Sequence, residues 1–180
     1  MNWGSCDYRQ LQKIRNNLDR LERMDMNKFC QDVSKELAAR LLALVIPRTP
    51  VGHYSTEVSF TTKDGREVNF TKHSGKKGGT LRRGWTARTA GEAEAGHTMM
   101  SAKSYAASLP VFRQGNLYTA WVINPVEYAS YVEFGHRTRG GKGWVNGQYF
   151  LTLSEHDLER LTPALIERKL DALLREVFRV

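Results

Sequence analysis

The side chains able to do chemistry are few and scattered. The five histidines, His53, His73, His97, His136 and His156, fall mostly in loop-forming stretches. The chain has no HExxH, CxxC, GxSxG or P-loop pattern. Glu133-x-x-His136 sets a carboxylate and an imidazole near one helix end. Two donors are short of the three or four that a metal requires, so the ordinary reading of His136 is a cap on the helix C-terminus. Gly78-Gly79 and Gly84 superficially suggest a phosphate cradle, but the Gly-Lys-Ser/Thr ending is missing and no helix is expected to follow. Cys6 and Cys30 form no ligand pair, and Cys30 reads as a small buried hydrophobe. No residue is therefore assigned to catalysis, to a metal or to a cofactor, and the expectation is a protein that is not an enzyme.

Two basic, glycine-rich stretches remain. From Lys72 to Arg88 there are six Lys or Arg residues and no acid, including Lys76, Lys77, Arg82 and Arg83, with Trp85 following. In the second, Arg137, Arg139 and Lys142 precede Trp144, again without an acid. Guanidinium groups beside indoles suit a phosphate backbone with stacked bases. They suit a protein interface as well, where Arg and Trp are common anchors. A solvated loop with its tryptophan tucked into the domain edge is the third reading. On these readings Arg82 and Arg83 belong to the surface, and removing both should leave the monomer folded.

The elements that must carry these loops follow from periodicity. Leu11, Ile14, Leu18 and Leu21 give a narrow apolar face to a first helix over residues 5–24, which on its own would be marginal. Met26, Phe29, Cys30, Val33, Leu37, Leu41, Leu44 and Val45 predict a core helix over 26–46, stopped by Pro47 and Pro50. Val58/Phe60 and Val68/Phe70 alternate around Asp64-Gly65, a β-hairpin over 56–71. Residues 72–84 read as loop and 85–90 as a strand opening with Trp85. A short helix is expected near 99–107, and a second hairpin turns at Gln114-Gly115-Asn116. Asn124-Pro125 should open a helix over Val126–Phe134 that Gly135 ends. Within it Tyr128 and Val132 share a core-facing side, whereas Tyr131 and Glu133 could meet a neighbouring subunit. Residues 136–147 read as loop, Tyr149–Leu161 as a helix, and Thr162-Pro163 as the start of a last one.

This order does not alternate as βαβ does. It predicts an α+β domain in which a long N-terminal helix and C-terminal helices pack on a largely antiparallel sheet, with long basic loops projecting. Its 180 residues suffice for one domain with a small appendage. We divide them into a helical extension over 1–25 and one domain over 26–180, with an inserted hairpin and loop at about 53–84. Such a chain buries roughly 70% of its unfolded surface and needs no disulfide to fold. The net charge of +8 favours a polyanionic or acidic neighbour. The longest aliphatic run, Leu41–Ile46, is far short of the ~20 residues a membrane crossing takes, and no secretory leader is visible, so a soluble cytoplasmic product is expected.

The same segments carry a family resemblance. Thr49-Pro50-Val51-Gly52 and Gly79-Thr80-Leu81-Arg82-Arg83-Gly84-Trp85 resemble the "TPV…G-x-LR-x-x-W" stretch of the small neck, or tail-completion, proteins of tailed bacteriophages. Val122–His136 is similar to that family's "V-x-N-x-x-x-YA-x-YVE-x-G" signature, and Trp144-Val145-x-Gly147-x-Tyr149-Phe150-Leu151 to its "WV-x-G" element. The resemblance covers about 26–180. It departs over 53–78, where simpler members run almost directly from "TPV" to "LR". It implies a structural virion protein in the neck between head and tail, made in the host bacterial cytoplasm. It also implies a homo-oligomeric ring, hexameric with a dodecamer as the alternative. The implied partners are a head-side connector or stopper and a tail terminator or tail tube protein, with passing contact to genomic DNA and no membrane. Candidate interface or DNA-facing residues are Lys76, Lys77, Arg82, Arg83, Trp85, Tyr131, Glu133, His136, Arg137, Arg139, Lys142 and Trp144. A tail terminator or stopper is the neighbouring role. A basic nucleic-acid-binding protein or small nuclease is the rival one.

Overall fold

The computed structural model describes residues 8–22, 26–52, 57–71, 78–138 and 140–178. In chain order the elements are α1 (Tyr8–Glu22), α2 (Met26–Arg48), β1 (Glu57–Thr61), β2 (Glu67–Thr71), α3 (Thr80–Gly84), α4 (Ala90–Ala95) and α5 (Ala102–Ser108). They continue as β3 (Val111–Gln114), β4 (Leu117–Ala120), α6 (Ala129–Phe134), β5 (Gly135–Arg137), β6 (Trp144–Asn146) and α7 (Phe150–Phe178). The α+β class holds. Among the described residues the strands form three separate antiparallel hairpins, β1-β2, β3-β4 and β5-β6, and do not join into one sheet. Packing of helix on helix therefore builds the core.

The spine is α2. Ala38, Leu42 and Val45, spaced four and three apart, are its buried face. That face packs against α5, α7 and β4. Around it gather Leu81, Trp85, Ala87, Ala93, Ala106, Val126 and Phe150. Pro47 does not stop α2, which runs to Arg48. The end is marked instead by Thr49, whose hydroxyl and N–H both donate to the Val45 carbonyl.

Two sequence boundaries move for clear reasons. Thr162-Pro163 does not open a new helix, because α7 is continuous through Pro163. The missing proline N–H costs the ladder one bond. The Thr162 hydroxyl bonds the Leu158 carbonyl beside the gap, and the packing of α7 on α2 keeps the helix in one piece. Residues 85–90 are not a strand. The chain turns there, with Thr86 and Ala87 donating N–H bonds back to Arg83 and Gly84. The helix α4 follows, its first turn capped by the Thr89 hydroxyl, which accepts from Glu92 N–H.

Salt bridges clasp α2 to α7 at the middle of α2 and at its C-terminal end. Lys169 Nζ lies 2.5 Å from Glu36, which also holds Arg40 at 2.9 Å, and Arg48 lies 2.5 Å from Asp157. The ammonium of Lys169, hydrogen-bonded to Glu36, is the main reason its carboxyl titrates below the ordinary 4.5. The Arg48 guanidinium lowers Asp157 in the same way. A depressed carboxyl stabilises the fold fully above its unfolded pKa and loses that contribution as pH falls through the folded value. Glu36→Gln should therefore cost at most about 1 kcal/mol at neutral pH and flatten the loss of stability below about pH 4.5. Urea midpoints measured from pH 7 to pH 3 test this; parallel curves for the two proteins would remove Glu36 from the acid response.

Candidate functional site

Four of the nine described candidates, Arg82, Arg83, Trp85 and Glu133, turn out to hold the fold together. The carbonyl of Thr49 is left over at the end of α2, and Arg82 occupies it. Its Nε and Nη2 donate to Thr49 O at 3.2 and 2.8 Å, and Nη2 also reaches Pro47 O at 3.3 Å. Arg83 donates from Nε to Ala93 O at 2.8 Å and from Nη1 to Gly78 O at 3.0 Å, tying α3 to α4. Five fixed N–H donors make arginine suited to gathering stray carbonyls in this way. Trp85 is 2% exposed, and its indole N–H donates to the Thr49 hydroxyl at 2.7 Å. Removal of Arg82 and Arg83 thus strips bonds from the monomer itself, contrary to the expectation that it leaves the fold untouched.

The short helix α3 begins directly after Gly79, whose φ of 88° is a backbone state natural to glycine. That helix was not expected from the sequence. Gly84 at its other end lies against Asn124, where an added Cβ would fall 2.2 Å from the side-chain oxygen. Asn124 in turn donates to Leu81 O at 2.8 Å and accepts from Val126 N–H at 3.2 Å. So Asn124 does cap a turn, but that turn precedes α6, which starts only at Ala129.

Glu133 is the second correction. It is 3% exposed in the folded chain, with its carboxylate turned inward. Its carboxylate accepts from the N–H groups of Leu151 and Thr152, each at 2.9 Å, and from the Thr152 hydroxyl at 2.7 Å. It therefore caps α7 across 18 residues of chain. The N-terminal N–H groups of a helix have no partner within the helix, and a negative charge there meets the positive end of the dipole. Gly147 passes beneath, where a Cβ would fall 2.2 Å from Glu133 O. Tyr128, expected on a core-facing side, is 41% exposed, whereas Val132 does pack against the core.

The remaining candidates form one exposed group. Residues 136–147, expected as loop, contain the small hairpin β5-β6, in which Arg137 pairs with Trp144 and His136 with Val145. Gly135 starts it at φ 87°, and a Cβ there would meet Val145 O at 2.4 Å. Trp144 is 59% exposed, Tyr131 and Phe134 on α6 are each 58% exposed, and Arg137 and Lys142 are exposed as well. The His136 ring meets Tyr131 edge to face at 6.0 Å, and its Nδ1 lies 3.5 Å from Tyr131 O, beside the helix end. The surface is cationic and aromatic. Lys76, Lys77 and Arg139 lie outside the described residues. Among the described residues no three His, Cys, Asp or Glu side chains gather in a metal-binding group.

Sequence reasoning missed α4. The signal was present in Thr89-x-x-Glu92, a capping pattern that the surrounding Ala and Gly obscure. It also missed the twofold use of Thr49, which no local pattern announces.

Comparison with known proteins agrees with these motifs. Residues 12–135 match the family described as "Bacteriophage HK97-gp10, putative tail-component". The match starts within α1, earlier than the resemblance read from motifs, and stops at Gly135, before the Trp144 element. No curated protein and no solved structure matches the chain. No described helix is long and apolar enough to cross a membrane. The matched segment takes in α2, the α3 keystone and α6, well over half of the chain, and so the protein belongs to the HK97-gp10-like family of bacteriophage tail components.

Proposed function

We propose that this protein is a structural virion component that forms a ring, six copies around, in the neck between head and tail, and that it turns over no substrate. A head-side connector and a tail terminator or tube protein are its neighbours. Membership of a tail-component family supports a place in the virion. The observation that carries the rest is the exposed group of Tyr131, Phe134, Arg137, Lys142 and Trp144. Large aromatic side chains left half in water beside cations fit the pattern of interface anchors. No counter-charge for Arg137 or Lys142 is supplied by the hairpin itself, whose stretch from Gly135 to Gly147 has no acid.

Trp144→Ala combined with Arg137→Ala tests the reading. Both residues are exposed, so unfolding of the isolated chain should shift by no more than about 0.5 kcal/mol. Electron microscopy of particles carrying the variant should show filled heads and finished tails accumulating apart. Normal infectious particles would take this surface out of the joining role. The same cations favour a second reading, direct binding of nucleic acid. It predicts retention on DNA that weakens steeply with salt, and no gel shift at low salt would exclude it.

A further inference from the structure

Two hollows flank the segment that leaves β4, and they share Trp121 and Val122. The first, about 460 Å³, has Leu37, Leu41 and Leu158 among its walls. The second, about 540 Å³, has Ile123, Ala129, Phe134 and Leu151. They adjoin at Trp121 and Val122, and we take them as the two ends of one largely apolar trough, beside which Trp121 and Ile123 stand 63% and 60% exposed. Among the described residues its lining includes Glu127 and Glu155 and no Lys or Arg.

The chain also carries an uncovered apolar ridge. In α1, Leu11, Ile14 and Leu18 fall on one face at spacings of three and four, and each is 52–54% exposed. No residue of α1 is buried, and none lines either hollow. Fifteen residues make a helix about 22 Å long, which is marginal in water without a packed face. Its composition is basic, with Arg9, Lys13, Arg15 and Arg20 against Asp19 and Glu22. Arg15 adjoins the apolar stripe, four residues after Leu11 and three before Leu18. The helix rests on α7 of its own chain with the stripe turned outward.

We infer that the trough beside Trp121 receives α1 of a second copy of this chain. The apolar stripe fills the two hollows, and the basic flank meets Glu127 and Glu155. Ridge and trough are different surfaces, so the contact is head-to-tail. Repeated around an axis, such a contact closes a ring. The inference deepens the ring reading by naming its seam, and it rests on that reading.

Cysteine pairing tests the seam in assembled particles. In a chain with Cys6 and Cys30 changed to Ser, Ile14→Cys and Ile123→Cys place one thiol on each surface. Mild oxidation should give a ladder of covalent multimers that reductant dissolves, while Ile14→Cys paired with Ser59→Cys on the β1 strand gives none. A product that stays monomeric, whether unlinked or internally bridged, overturns the inference. In solution, Ile14→Asp and Ile123→Asp chains should each sediment as monomers and, when mixed, as one-to-one dimers and nothing larger. Variants that still assemble like the parent also overturn it. The ring reading is judged separately, from the copy number of the parent protein in the particle. A ring without the cysteine ladder means that the ring stands and its seam lies elsewhere.

Discussion

Trp85→Ala is expected to cost the fold about 4–5 kcal/mol, near the top of the range for removing a buried aromatic. The indole is 2% exposed and meets Phe150 edge to face at 6.2 Å and 78°. Its N–H bonds the hydroxyl of Thr49, itself fully buried at the end of α2. Truncation therefore empties the junction of α2, α3 and α7 and takes one partner from the Thr49 hydroxyl. For a chain of this size, about 2–4 °C of melting temperature goes with each kcal/mol, so a fall of roughly 10–15 °C is expected. Thr49→Val isolates the polar part. It keeps the volume but leaves the indole N–H buried without an acceptor, for about 1–3 kcal/mol. Denaturant unfolding of the two single variants and the double should show the losses falling short of additive, since the residues share one bond. Full additivity would mean that the 2.7 Å contact contributes nothing.

The long elements were legible because their periods are long. Eight apolar residues at helical spacing announce α2, and alternation around Asp64-Gly65 announces β1-β2. Gly65 does sit at φ 75°, in the turn that the Asp-Gly pair predicts. The short elements carry too few residues to show a period. The five residues of α3 and six of α4 span less than two turns each, and their positions are set by Arg82, Arg83 and Thr89 through bonds to distant carbonyls or to the helix start. The misreading of Arg82, Arg83, Trp85 and Glu133 has one source. A charged residue in a glycine-rich stretch is ordinarily in water, and local sequence does not reveal which carbonyls or N–H groups another segment leaves unpaired. The exposed members of the group, Tyr131, Arg137, Lys142 and Trp144, were assigned by the same reasoning. There α6 and the hairpin leave the side chains exposed, as an interface reading requires.

Glu133→Ala separates the two roles that a motif glutamate can play, and its expected cost is about 2–4 kcal/mol. Two backbone N–H groups at the start of α7 and one hydroxyl lose a charged acceptor together. Bonds to charged groups are worth about 1.5–3 kcal/mol each, but water reaching the opened helix end recovers part of the loss. Glu133→Gln should cost less, since its amide oxygen can still accept from one N–H, while the helix end forfeits the negative charge that its dipole favours. The damage should spread to β6, because Gln148 and Tyr149 donate their N–H groups to the carbonyls of Val132 and Glu133 in the same junction. Thermal unfolding of the isolated protein, with amide exchange read at Leu151 and Thr152, checks this. A residue serving only a neighbouring subunit would leave both measurements unchanged in the free chain. A capping residue lowers the melting temperature and opens those two amides before any assembly takes place.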